Sequence, residues 1–324
     1  MSLATTYLGM QLRNPIIVSS SKLTDSPEKI RQCYEAGAGA VVLRSLFEEQ
    51  IISEIQSQFN LDPMYYWYPH VEEYVTTLSK EHGIDDYLRL IQIVKAQNPI
   101  PIIASINCVS VAQWTGFSRQ IEQAGADALE LNISFLPMDE QFSGDEIELR
   151  YVEIVKEVRK FTRLPLSVKI SPCFSNIFNI VSRISNAGAD GVVLFNRFYQ
   201  PDFDVEKLAA VNQNTLSSPQ ESLNVMRWIT LLSGKYDLDL SASTGIYDSK
   251  AVIKQLLAGA STVQLCSTLY KNGVSYIETI LQEIKLWMKR KNYSDINEFR
   301  GKIKEITELK NELSRIQYMQ RDFD

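Results

Sequence analysis

The 324-residue chain has few of the residues from which metal centres and disulfide frameworks are built. It contains two histidines, His70 and His82, and four cysteines that stand far apart. A histidine-rich metal centre or a serine–histidine–aspartate triad is hard to assemble from this set, and the cysteine spacing fits neither a zinc site nor a disulfide scaffold. We therefore expect no bound metal, a reducing cytoplasm, and a cofactor that supplies the chemistry if the chain is an enzyme.

The chain also lacks long apolar runs and an excess of positive charge. No stretch approaches the roughly 18 apolar residues of a membrane span, and the start, MSLATTYLGMQLRNP, does not resemble an export signal. The net charge is −6 and the pI about 5.2, so the surface does not favour nucleic acid or anionic lipid. We expect a small-molecule substrate, with no nucleic acid and no membrane as partner.

A short phrase that joins a glycine turn to an apolar run recurs along the chain. It reads AGAGAVVLRS at 36–45, AGADALELNIS at 124–134, AGADGVVLFN at 187–196 and AGASTVQLCS at 258–267. Each copy predicts a helix end, a turn and a buried strand. Further apolar runs bring the number of predicted strands to eight, and they lie at 15–20, 100–107, 164–171 and 238–243.

Segments with helical spacing follow these strands, for example at 27–36, 110–124 and 249–258. Eight alternating units predict an α/β fold of one domain, a closed TIM (β/α)8 barrel. A doubly wound sheet would usually carry fewer strands and a G-x-G-x-x-G turn, which the sequence lacks.

Alternation along the strands predicts which side chains point into the barrel. In the fourth strand Leu129 and Leu131 alternate with Glu130 and Asn132, and in the fifth strand apolar residues alternate with Lys169. The apolar set should face the helices. A lysine inside a barrel is costly unless it meets an anion or an electron-rich ligand, so Lys169 is a candidate functional residue, with a buried pair to Glu130 as the structural alternative.

Two segments do not fit the repeating units. The stretch 47–83 after the second strand holds the aromatic run Met64–His70 and predicts a lid over the active-site face, which either packs against itself or offers a stacking surface. Residues 303–324 predict a helical tail after a barrel that occupies residues 1–302.

Several phrases together resemble the dihydroorotate dehydrogenase family. They are AGADALELNIS (124–134), PLSVKISP (165–172), AGADGVVLFN (187–196), TGIYDSKAVIKQLLAGA (244–260) and TVQLCSTLYKNG (262–273), with NPIIVSS near the start and FRGK at 299–302. The resemblance covers nearly the whole chain up to about residue 302. It implies an FMN-dependent oxidoreductase of pyrimidine biosynthesis that acts on a CH–CH group, and a cytoplasmic homodimer.

The resemblance also implies which residues bind the cofactor. The ends of the seventh and eighth strands lie where such barrels bind phosphate, and Lys169 matches the family lysine beside the flavin ring edge that becomes negative on reduction. The implied cofactor residues are Ser19, Ser20, Arg44, Ser45, Asn132, Lys169, Asn196, Ser243, Thr244, Gly245, Cys266 and Ser267. The implied substrate residues are Asn132, Asn196 and Arg197.

The sequence departs from the family at the position of the general base. The family phrase N-x-S-C-P-N or N-x-S-S-P-N supplies a proton acceptor at its fourth position, where this chain has Phe135. A phenylalanine cannot take a proton, so a base must come from elsewhere. The candidates are Ser134, Cys173 and Tyr199.

Other departures affect substrate recognition. Arg44 stands where the family has lysine, Arg197 where a small hydroxyl residue is usual, and the asparagine-bearing segment over the substrate is replaced by the aromatic run. Three hypotheses follow. The chain oxidises dihydroorotate to orotate, or it is a flavin barrel with another small planar substrate, or it binds FMN without catalysis because it lacks the base.

Overall fold

The structure is a computed structural model, and it describes residues 1–48, 84–108, 111–135, 139–198, 201–211 and 216–305. For residues 111–113 and 304–305 the structure describes the backbone only. The predicted lid lies almost entirely outside the described residues, as does most of the predicted tail.

Eight parallel strands close into a barrel. In chain order they are β3 (Ile16–Val18), β4 (Ala40–Val42), β6 (Ile102–Asn107), β7 (Ala128–Asn132), β8 (Leu166–Ile170), β9 (Gly191–Leu194), β12 (Asp239–Ser243) and β13 (Thr262–Leu265). Each strand pairs with the next, and the pairing of β13 with β3 closes the ring. The TIM barrel predicted from the repeated phrase is confirmed.

Five further strands accompany the barrel in the described ranges. Hairpin β1–β2 (Thr5–Tyr7 and Met10–Leu12) precedes it, and hairpin β10–β11 (Asp202–Asp204 and Ala209–Val211) follows its sixth strand. Strand β5 (Leu46–Phe47) pairs with the end of β6, so the chain that leads into the predicted insertion first extends the sheet.

Helices on the outside of the barrel connect the strands. In the described ranges they are α1 (Pro27–Glu35), α2 (Asp85–Gln97), α3 (Val111–Ala124), α4 (Gly144–Phe161), α5 (Ile177–Asn186), α6 (Glu221–Leu232), α7 (Ser249–Ala258), α8 (Ser267–Asn272) and α9 (Tyr276–Arg290). Short 3-10 helices lie at Lys22–Thr24, Ile296–Glu298 and Lys302–Glu305. Among the helices described, none is long and apolar enough to cross a membrane.

The recurring glycine ends a helix at each of its four positions. Gly37, Gly125, Gly188 and Gly259 have φ of 97°, 93°, 104° and 115°. This left-handed conformation is open to glycine and strained for other residues, which explains why the phrase recurs before a strand. Each turn feeds the chain back into the barrel, so the next strand begins at the same end as its predecessors.

The core has two layers, as strand alternation predicts. Leu129, Leu131 and their counterparts on the other strands pack against the helices in one large apolar cluster. Inside the barrel a smaller cluster joins the first hairpin to the strands, and its buried members are Tyr7, Leu8, Leu12, Ile17, Ala40, Val42, Ile103 and Ala128. The hairpin therefore fills the amino-terminal end of the barrel and leaves the carboxyl end of the strands for polar residues.

Candidate active site

Lys169 lies inside the barrel and belongs to a buried polar network. Its Nζ donates hydrogen bonds to Ser19 Oγ at 3.2 Å and Gln264 Oε1 at 3.0 Å. It lies 3.8 Å from Glu130 Oε1. The ion pair with Glu130 is thus present, and it leaves Lys169 at the wall of a cavity.

Two turns meet at the carboxyl ends of β12 and β13. Ser267 Oγ accepts hydrogen bonds from the N–H of Ser217 at 3.0 Å and from its hydroxyl at 2.9 Å. The N–H of Gly245 donates to Ser217 Oγ at 3.2 Å. These contacts join the turn at Gly245 to the turn at Ser267, as strand order predicts, and add Ser217 to them.

Gly245 is required by the close approach of neighbouring backbone. It has φ of 74°, and a Cβ there would lie 2.4 Å from the N of Ser222 and 2.7 Å from the O of Ser218. Thr244 also has a positive φ, 82°, and its hydroxyl donates to the carbonyl of Phe195 at 3.1 Å. A non-glycine residue in this region is strained, and such strain is frequent at functional sites.

A cavity of about 340 Å³ lies over these groups. Its wall includes nine of the predicted cofactor residues, and they are Ser19, Ser20, Lys169, Asn196, Ser243, Thr244, Gly245, Cys266 and Ser267. Phe195, Arg197, Ser217, Ile246 and Gln264 complete the wall. A cation, hydroxyl groups and a tight glycine turn in one cavity fit an anionic, ring-bearing cofactor such as FMN.

Ser45 and Asn132 join this wall through hydrogen bonds. Ser20 Oγ lies 3.0 Å from Ser45 Oγ, which in turn lies 2.7 Å from Ser105 Oγ. Asn132 Nδ2 donates to Ser45 Oγ at 3.5 Å, and Asn196 Nδ2 donates to Asn132 Oδ1. Both predicted asparagines therefore come together at one side of the cavity.

Arg44 is not among the described residues that form the cavity wall. It is half-buried, and its backbone N–H donates to the carbonyl of Thr24 at 3.4 Å. This hydrogen bond ties the backbone of Arg44 to the 3-10 helix Lys22–Thr24, which follows the first strand. The role implied for Arg44 by the resemblance stays a prediction.

Arg197 stands between the first cavity and a second one of about 290 Å³. Its Nε donates to Glu221 Oε2 at 3.0 Å, and Glu221 Oε1 also accepts from the N–H of Ser218 at 2.6 Å. The second cavity is lined by Pro172, Cys173, Phe195, Asn196, Arg197, Phe198, Glu221, Asn224, Val225 and Thr244. Glu221 compensates the charge of Arg197, so this region is less cationic than the sequence suggested.

Phe135 packs as an aromatic residue at the position of the family base. Its ring meets that of Tyr151 edge to face with centroids 5.5 Å apart, and Tyr151 meets Phe174 at 5.2 Å. Burial raises the pKa of the Tyr151 hydroxyl to about 12, so Tyr151 does not supply a base near neutral pH. Apolar packing has taken the place of a proton acceptor here.

The alternative bases differ in accessibility. Ser134 is half-buried, whereas Cys173 is exposed and lines the second cavity beside Asn196 and Arg197. Tyr199 lies outside the described residues. Burial raises the pKa of the Cys266 thiol, although Lys169 acts in the opposite direction, so Cys266 stays protonated at neutral pH.

Sequence reasoning missed Gln264, Ser105, Ser217 and Glu221. Gln264 and Ser105 occupy inward positions of their strands, so the alternation that identified Lys169 would have found them. Ser217 and Glu221 follow a long connection after the sixth strand, and no local pattern places them beside the seventh and eighth.

Comparison with known proteins identifies relatives along most of the chain. The family model described as dihydroorotate dehydrogenase matches residues 2–288. The catalytic subunit of dihydroorotate dehydrogenase B (NAD(+)) from Thermoplasma volcanium is 28% identical over 310 residues, which are 92% of this chain and 97% of that protein. The corresponding subunit from Pyrococcus furiosus is 26% identical over 310 residues, 93% of this chain and 98% of that protein.

The chain is also similar to a protein whose name gives an activity other than dihydroorotate dehydrogenase. The NAD-dependent dihydropyrimidine dehydrogenase subunit PreA from Escherichia coli is 23% identical over 319 residues, 92% of this chain and 76% of that protein. The predictions of an FMN cofactor and of an oxidoreductase that acts on CH–CH groups are confirmed by family membership. The chain belongs to the dihydroorotate dehydrogenase family.

Proposed function

We propose that this chain binds FMN with the phosphate at the turns of Gly245 and Ser267 and the ring edge beside Lys169. One observation carries the proposal: Ser19, Lys169, Gly245 and Ser267 all line one cavity. When bound, FMN would supply the acceptor for a hydride that leaves the CH–CH group of the substrate. Lys169 provides a fixed buried cation toward which negative charge on the reduced ring is attracted.

The substrate in this proposal is a dihydropyrimidine ring held by the amides of Asn132 and Asn196. Asn132 Oδ1 accepts from Asn196, and Ser45 accepts from Asn132, so the two amide planes are oriented before a ligand arrives. Their remaining donors and acceptors match the alternating N–H and C=O groups of such a ring. A site that reads these groups discriminates strongly against rings that lack them.

Loss of the family base favours a proton acceptor at another position. Phe135 is packed against Tyr151, whereas Cys173 is exposed in the cavity that shares Asn196 and Arg197 with the cofactor cavity. We therefore place the proton acceptor at Cys173, with Ser134 second. A thiolate is formed near neutral pH more readily than a serine alkoxide, which supports this order.

A second candidate substrate lacks the carboxylate of dihydroorotate. The charge of Arg197 is compensated by Glu221, and one relative is named a dihydropyrimidine dehydrogenase subunit. Both observations favour a neutral ring such as dihydrouracil over an anionic one.

The visible spectrum of the purified holoprotein tests these proposals. Anaerobic addition of dihydroorotate or dihydrouracil is expected to bleach the flavin bands, and the faster of the two identifies the preferred ring. A flavin that both compounds leave oxidised would overturn the proposed substrate class. In Cys173→Ala the flavin content should be unchanged and the bleaching slower than in the parent. Ser134→Ala is the matched variant. Equal bleaching rates in Cys173→Ala and the parent would exclude Cys173 as the proton acceptor.

The assembly proposed for the chain is a cytoplasmic homodimer that also takes a partner subunit. The named relatives are catalytic subunits, which supports transfer of electrons to NAD through a second protein. Hairpin β10–β11 exposes Phe203 and Leu208, and apolar side chains of this kind favour a protein contact. Light scattering of the purified chain, alone and after co-expression with a partner, distinguishes these assemblies.

A further inference from the structure

Beneath the cofactor cavity, three polar side chains are almost completely removed from solvent. Lys169, Glu130 and Gln264 are 7%, 1% and 2% exposed. They lie on three different strands, β8, β7 and β13, and all point into the barrel. Buried charges are retained only where other groups compensate them. The arrangement of these three side chains therefore determines how the charges of Lys169 and Glu130 are compensated.

Gln264 bridges the two charged residues. Its Oε1 accepts from Lys169 Nζ at 3.0 Å, and its Nε2 donates to Glu130 Oε2 at 2.6 Å. The other carboxylate oxygen, Glu130 Oε1, has no hydrogen-bond partner among the described residues and lies 3.8 Å from Lys169 Nζ. Glu130 is therefore held near the lysine by the amide rather than by a direct hydrogen bond.

This geometry has two opposing electrostatic effects. The carboxylate compensates the buried positive charge of Lys169, which would be costly in the barrel interior without a nearby opposite charge. The same carboxylate weakens the positive potential above Lys169, because its negative charge acts through a medium of low dielectric constant. Gln264 limits this weakening of the positive potential. It accepts a hydrogen bond from Lys169 Nζ that would otherwise go to Glu130, and so keeps the lysine from moving closer to the carboxylate.

We propose that Glu130 and Gln264 are positioning residues that set the reduction potential of the bound flavin. Glu130 lowers the potential, because its charge opposes the negative charge that the ring gains on reduction. Gln264 raises it, because it holds Lys169 toward the cavity. The inference rests on the flavin placement proposed above, and it requires no particular substrate.

Two variants with opposite expected signs test the proposal. Glu130→Gln removes the charge with little change of shape, and it should raise the potential of the bound flavin. Gln264→Met removes the bridge, so Lys169 moves toward Glu130 and the potential should fall. A tenfold change in the preference for reduced over oxidised flavin corresponds to about 30 mV for a two-electron couple, and we expect shifts of that order.

The potentials are measured by anaerobic reductive titration against reference dyes, with no substrate present. Glu35→Gln is the matched control, because it makes the same substitution on the exposed face of α1, where Glu35 pairs with Arg31; its potential should equal that of the parent. Opposite shifts in the two test variants support the proposal, and if one variant does not fold, the sign in the other decides. An unchanged potential, or a shift of the opposite sign, in a variant that retains flavin would overturn it.

Failure of the proposed substrate class can be distinguished from failure of the proposed effect on the flavin potential. A protein whose flavin is not bleached by dihydroorotate or dihydrouracil still has a measurable potential, so the titration can succeed where the substrate assay fails. Conversely, bleaching by a substrate together with equal potentials in all variants would contradict the roles of Glu130 and Gln264 and leave the proposed substrate class intact.

Discussion

At the scale of single residues, Gly245 shows how little space separates the cofactor turn from helix α6. The backbone of Ser218 and of Ser222 occupies the place that a side chain at 245 would need. A substitution must therefore push the seventh-strand turn outward, away from Ser217, whose hydroxyl accepts from the Gly245 N–H. The contact between the two turns depends on this one position.

Gly245→Ala should therefore lose FMN while the barrel remains folded. The new methyl group meets backbone atoms that cannot rotate away, and the positive φ adds about 1–2 kcal/mol of strain. Flavin content per chain, read from the visible spectrum after gel filtration, measures the loss. Gly116→Ala is the control, because a Cβ there meets nothing within 4 Å; full flavin content in both variants would show that the turn tolerates the methyl group.

Individual site residues differ in how well the sequence predicts them. Lys169 could be predicted because alternation within one strand depends on its immediate neighbours. The ion pair between Arg197 and Glu221 could not be predicted, because a long connection separates the two residues in the sequence. Likewise the loss of a base at Phe135 is visible in the sequence, but its packing against Tyr151 depends on where α4 lies.

At the scale of elements, local signals account for most barrel strands and helices. The predicted helix at 249–258 has the same bounds in the structure, where Asp248 caps its start and Gly259 its end. The hairpins β1–β2 and β10–β11 were not predicted. Their strands have three residues each, which is too short for alternation to distinguish a strand from a loop.

Helix α4 begins with a reciprocal cap that makes its stability depend on pH. The N–H of Glu146 donates to Ser143 Oγ at 3.3 Å, while the N–H and hydroxyl of Ser143 each donate to Glu146 Oε2 at 2.7 Å. The hydrogen bonds from the Ser143 hydroxyl and N–H lower the pKa of Glu146. The ionised carboxylate therefore stabilises the folded state above its unfolded pKa, and this contribution is lost as the pH falls through the lowered folded pKa.

Ser143→Ala should lower the free energy of unfolding at neutral pH by about 1 kcal/mol, the usual effect of removing an N-cap. The difference from the parent should shrink in acid, where Glu146 is protonated in both proteins. Urea unfolding at several pH values measures it, and Glu146→Gln should abolish the pH dependence of the difference. A difference that stays constant from neutral to acid pH would show that the carboxylate does not contribute.

At the scale of the whole molecule, one end of the barrel carries the cofactor cavity and the other contributes to stability. The carboxyl end of the strands carries the cofactor cavity, whereas the amino end is filled by apolar side chains of hairpin β1–β2. Leu8 N–H donates to Asp239 at 2.7 Å, which ties the hairpin to the start of the seventh strand. Separation of this kind is general in TIM barrels, where residues at the amino-terminal face serve stability and those at the carboxyl face serve chemistry.

Leu12→Ala should therefore destabilise the protein without affecting the cofactor site. Leu12 is 1% exposed in the inner cluster, and its truncation leaves a cavity that costs about 2–5 kcal/mol in the free energy of unfolding. Leu208→Ala, at a side chain that is 90% exposed on hairpin β10–β11, should change that free energy by less than about 0.5 kcal/mol. Denaturant unfolding gives both values, and the visible spectrum of each folded variant gives its flavin content. Loss of flavin from folded Leu12→Ala would show that the packing of the amino end controls the site at the other end, and that the two tasks are coupled through the barrel interior.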